Sequence, residues 1–175
     1  MKRLNKLVLG LATVTMLASC GAKQITKAEA VEIAKGWDTS IVYKSAHVKV
    51  DVSYNFSDNF PAEYKEALKA TFDGMKQDAD VPADEIESLR LSPDAIESFD
   101  EQLFTFKANG KALEFEGKQP ASEATGGMEA KISAKTDENG YLLSAITDFS
   151  GKMTGESSVE YSVTIKTTQT ATYVK

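Results

Sequence analysis

Apolar and polar side chains alternate with a period of two over much of this chain. In "HVKVDVSYNF" Val48, Val50, Val52, Tyr54 and Phe56 fall on one side and Lys49, Asp51, Ser53 and Asn55 on the other. That is the pattern of a half-buried strand. The same alternation fills the second half. "QLFTFKANGKALEFEG" predicts a hairpin with Asn109–Gly110 at its turn, and "MEAKISAKTDENGYLLSAITDFSG" predicts another turning at Asn139–Gly140. Asn–Gly is a strong short hairpin signal because both residues tolerate positive φ. "GKQPASEATGGM" reads as the loop between the hairpins. In the last strand Val159, Tyr161, Val163 and Ile165 oppose Glu160, Ser162, Thr164 and Lys166.

Two stretches break the alternation with helical spacing. Thr26 and Glu29 have the spacing of a capping box, in which each side chain satisfies a free amide of the other. Behind them Ala30, Ile33, Ala34 and Trp37 share one face of "TKAEAVEIAKGW", which places Trp37 in the core. Residues 57–100 predict three helical pieces. Pro61 opens the first, with Tyr64, Leu68, Phe72 and Met75 along it, and Ser92 caps the last ahead of Pro93. The order is helix, strand, helices, then about five strands. Strands with one apolar and one polar face need a single cover. The expected fold class is α+β: a twisted antiparallel sheet of about six strands with three to four helices packed on one face.

The first twenty residues belong to neither pattern. Lys2, Arg3 and Lys6 precede the uncharged apolar run "LVLGLATVTMLA", which suits a signal-peptide core and is too short to span a bilayer alone. The run ends at Leu17-Ala18-Ser19-Cys20, holding the sole cysteine. This segment resembles the lipobox of bacterial lipoproteins. The resemblance implies cleavage between Ser19 and Cys20 and lipidation of Cys20, with diacylglycerol on its sulfur and often a further acyl chain such as palmitate on its amino group. The expected organisation is then a signal peptide at 1–19, a lipidated tether at 20–24 and one α+β domain at 25–175. Two or more acyl chains anchor a protein stably without spanning the bilayer. The expected address is extracytoplasmic, on the cell membrane or outer membrane; Gly21 after the cysteine favours the outer membrane where the host has two.

Charge changes after such cleavage. Of 20 basic residues three precede Cys20, leaving 17 against 26 acidic ones, a formal charge of about −9. That disfavours nucleic acid and adhesion to an anionic bilayer through a basic patch. Without a second cysteine the mature chain has no internal disulfide, and its stability rests on its core.

Catalytic constellations are missing from the sequence. A Ser–His–Asp triad would need His47, the lone histidine, and no serine sits in a G-x-S-x-G elbow. There is no H-E-x-x-H motif and no phosphate-binding glycine loop. The acidic residues from Asp78 to Glu101 lack the calcium-loop pattern and read as a solvated helical face. No enzyme activity, metal or cofactor is expected.

"ITKAEAVEIAK" is similar to the opening helix of PepSY domains, small extracytoplasmic modules, but the helical insertion after residue 57 departs from their layout. The element order also looks broadly like the half-barrels of bacterial lipid and lipoprotein carriers. Two functions follow. One is a non-catalytic protein-interaction or envelope module with a filled core. The other is a carrier of a lipid or hydrophobic ligand, with Val50, Val52, Tyr54, Phe104, Phe106, Ile132, Val163 and Ile165 lining a cleft between sheet and helices.

Overall fold

A computed structural model describes residues 21–122, 127–154 and 160–175. The signal segment, the lipobox with Cys20, and Val159 lie outside the described residues. Eight strands form one antiparallel sheet. They are β1 (Lys23–Ile25), β2 (Ser45–Phe56), β3 (Gln77–Pro82), β4 (Phe104–Asn109), β5 (Ala112–Gln119), β6 (Glu129–Thr136), β7 (Leu142–Thr154) and β8 (Glu160–Val174). Their spatial order is β1-β4-β5-β6-β7-β8-β2-β3. The helices are α1 (Lys27–Lys35), α2 (Ala62–Gly74) and α3 (Pro93–Glu97), with a 3-10 turn at Ile86–Leu89. No described helix is long and apolar enough to cross a membrane.

The sheet has eight strands, not about six. Both unexpected strands are edges. β1 pairs with β4 from Lys23, so part of the expected tether is already in the sheet. β3, "QDADVP", is acidic and ends in proline, which are the marks of an edge strand protected against further pairing and also what hides it from a hydrophobic pattern.

Local signals account for the helices. The Thr26–Glu29 capping box forms with both of its bonds: Glu29 N–H donates to Thr26 Oγ1 at 3.2 Å, and Thr26 N–H to Glu29 Oε2 at 2.8 Å. Ser92 caps α3 by accepting from Ala95 N–H at 3.1 Å. The Lys27 ammonium donates to the carbonyls of Glu97 and Phe99 at the C-terminal end of α3, tying α1 to it.

Register places most apolar strand residues on one face, Ile146 of β7 being on the other, and the described helices cover that apolar face. Ala30, Val31 and Ala34 of α1 and Ile96 of α3 pack on Phe104, Phe106, Leu113, Phe115 and Ala134. Phe72 of α2 and Phe60 pack on Val52, Phe56, Val163 and Ile165. Ile86 packs with Ala46, Val48 and Ala171 beside Tyr43 and Tyr141.

Both hairpins turn at a glycine with positive φ, but neither turn is centred on its Asn–Gly pair. Asn109 pairs with Ala112, so the two loop residues of the first are Gly110 and Lys111, with Gly110 at φ +62°. In the second, Asp137 N–H donates to Tyr141 O at 2.8 Å, closing a three-residue loop that ends in Gly140 at φ +88°. Asp137 Oδ1 accepts from both Asn139 N–H and Tyr141 N–H, which fixes that loop.

The two glycines differ in surroundings, and this gives a prediction. A Cβ at Gly110 meets open space apart from Glu138 Oε1 at 3.5 Å, whereas one at Gly140 overlaps the Trp37 ring. Gly110→Ala should cost about 1 kcal/mol from the left-handed backbone alone. Gly140→Ala should cost about 2–4 kcal/mol, since overpacking adds to the same strain. Equal urea midpoint shifts for the two variants would refute the Trp37 contact.

Candidate functional site

The eight positions expected to line a cleft share the helix-covered face but do not meet. Phe104, Phe106 and Ile132 belong to the cluster under α1 and α3. Val52, Val163, Ile165, Val50 and Tyr54 belong to the cluster under α2. Strand order explains the split. Four strands stand between β4 and β2, a separation of about 24 Å at roughly 4.8 Å per step. Within each cluster the side chains are packed. Phe104 stacks on Phe99 with ring centroids 4.7 Å apart, and Tyr54 lies 5.3 Å from Phe72. Tyr54 Oη also donates to Asp73 Oδ2 of α2 at 3.2 Å.

The hollows lie on the opposite, polar face. A first, of about 290 Å³, is walled by Thr105, Lys107, Glu114, Ser133, Lys135 and Ser144, with Ile146 among them. A second, of about 480 Å³, shares Thr105, Glu116, Ser133 and Ile146 with the first and adds Lys118, Lys131 and Asp148. A third, of about 540 Å³, continues from Lys131 and Asp148 to Lys166, Thr164 and Ser53. Shared walls make them one trough crossing the strands from β4 to β2.

Charge in the trough is uneven. Each of its carboxylates has its own lysine: Glu116 with Lys107 at 3.6 Å, Glu114 with Lys135 at 3.0 Å, and Asp148 with Lys166 at 4.0 Å. Lys118 and Lys131 are left over. They oppose each other in the β5–β6 register; Lys131 also stands opposite Asp148 in the β6–β7 register, yet among the described residues neither lysine forms an ion pair. Like charges directly opposite each other on a sheet face are destabilising. The alternation marked these residues as a polar face; that their lysines stand opposite each other follows only from the strand pairing.

His47 sits at the far edge of the same face. Its Nδ1 is 2.8 Å from Asp80 Oδ1 and its Nε2 is 3.0 Å from Asp78 Oδ1, both on β3. Asp78 and Asp80 are therefore strand residues, not part of a helical face. Among the described residues no His, Cys, Asp and Glu side chains are grouped as metal ligands. Comparison with protein-family models, with curated proteins and with solved structures returned no match.

Two predictions follow from these placements. Val52 is buried at 7 % exposure in the cluster under α2. Val52→Trp should overpack it and cost about 1–3 kcal/mol in chemical denaturation; an unchanged stability would mean open space beside it. The hydrogen bond to Asp80, followed by the charge of Asp78, raises the His47 pKa above its ordinary value. A raised folded-state pKa gives stability that is complete below the unfolded value and lost as pH rises through the folded one. The melting temperature should therefore decline across that window in the native chain and flatten in His47→Gln. The same slope in both proteins would remove His47 as its cause.

Proposed function

We propose that this protein is a lipid-anchored extracytoplasmic lipoprotein, attached through Cys20 to the cell membrane or outer membrane, whose folded part is a non-catalytic interaction module of the envelope. The anchor rests on the sequence Leu17-Ala18-Ser19-Cys20 behind a basic and apolar leader. The choice of interaction over transport rests on one observation. The apolar face of the sheet is packed by helices in separate clusters, while the hollows open on the polar face. A lipid carrier needs a continuous apolar lining for its acyl chains. A polar trough suits a hydrophilic partner.

The anchor is tested by Cys20→Ser in the native host. The variant should leave the membrane fraction or accumulate uncleaved, and lose metabolic labelling by a clickable fatty acid. Labelling that persists in the variant would overturn the lipoprotein reading. Native mass spectrometry of the Cys20→Ser chain from the same cells separates module from carrier: a stoichiometric co-purifying lipid would favour the carrier.

A further inference from the structure

We propose that the trough on the polar face binds an anionic glycan, whose acidic groups sit on Lys118 and Lys131. The first support is electrostatic. On a chain of formal charge −6, the linked hollows gather five lysines against three carboxylates. The carboxylates are each matched, and the two surplus lysines face each other across β5 and β6. Lys131 also stands opposite Asp148 on β7, but that carboxylate is shared with Lys166, so the pair keeps an excess of positive charge. An anion between the ammonium groups would balance that excess.

The second support is shape. The hollows share walls and cross six neighbouring strands, about 24 Å at roughly 4.8 Å per step, which fits an extended chain and not a lone ion. The third is chemistry. Thr105, Ser133 and Ser144 offer hydroxyls that both donate and accept, as sugar hydroxyls require, and the apolar side chains of Ile146 and Leu103 lie beside them. The interior strands have their backbone groups paired in the ladder, so a peptide cannot add to them as a further strand. The apolar surface of the trough is broken up among lysine and carboxylate side chains and offers an acyl chain no continuous bed. The choice of a glycan over a nucleic acid rests on the extracytoplasmic reading above; the binding of a polyanion does not.

The test uses the full-length chain in detergent micelles, titrated calorimetrically with polygalacturonate, dextran, poly-L-glutamate and phosphatidylglycerol vesicles. Polygalacturonate should bind, more weakly as salt rises, and dextran should not. Lys118→Glu should weaken polygalacturonate at least tenfold while raising the melting temperature, because it converts a like-charge pair into an opposite one. Lys118→Gln should weaken binding less. Lys44→Glu, outside the trough, should change it less than twofold. Binding unaffected by both Lys118 variants, or a melting temperature lowered by Lys118→Glu, would overturn the proposal. So would dextran binding equally well, or poly-L-glutamate or the vesicles binding more tightly. If Cys20→Ser keeps its acyl label while polygalacturonate binding behaves as expected, the anchor falls and the trough stands. The reverse outcome leaves the lipoprotein without this ligand.

Discussion

The indole of Trp37 lies against the α-carbon of Gly140, and much of the chain is arranged around that contact. A side chain at position 140 would occupy the ring's volume. The same indole donates Nε1–H to the carbonyl of Lys111 at 2.8 Å, in the other hairpin turn. Lys111 in turn sends its ammonium to the Gly36 carbonyl at the end of α1, at 2.7 Å. One aromatic residue thus holds both glycine turns against the first helix. The charge at the helix terminus is favourable for the usual dipole reason.

The turn at Asp137–Tyr141 also gathers the segments that lead to α3. Leu91 N–H donates to Gly140 O at 2.9 Å, and Arg90 Nε–H donates to Asn139 O at 3.0 Å. Arg90 lies over the Tyr141 ring, 5.2 Å from its centre, a cation–π geometry. Tyr43 Oη donates to Asp137 Oδ2 at 2.5 Å, and burial, ahead of that bond, pushes the Tyr43 phenol pKa up. Tyr141 reaches Ile41 O and Glu87 Oε2. Buried phenols need such partners, and together they join segments far apart in sequence to one loop. Tertiary partners at four of its five residues, added to the Asp137 side-chain bonds within the loop, leave it little freedom.

The sequence carried the parts of this design that are local. The capping box, the Ser92 cap, the alternating faces of β2 and β6 and the positive φ of two glycines are set within a few residues, and all are legible without the fold. Edge strands were not legible, because β3 is built from acidic residues and a proline that protect an edge and so disguise a strand. The hairpin turns slipped past their Asn–Gly pairs because register is fixed by the apolar pairing of whole strands, such as Phe106 opposite Phe115, and the turn follows. The eight candidate lining residues lie on one face of the sheet but in two separate clusters on it. Period two identifies which side chains share a face, but only strand order separates Phe104 from Val52.

Topology also decides which face stays bare. Every described helix precedes β4 in the chain, and from β4 to β8 each strand pairs with the next. The described helices lie on the apolar side, because burying its aromatic rings is worth more than shielding solvated lysines. The polar side therefore has no described helix to cover it. Its ion pairs are exposed, and pairs of that kind add little to stability. Most of its charges can therefore change without threatening the fold, and the arrangement there, with matched carboxylates and two opposed lysines, is not one that folding requires.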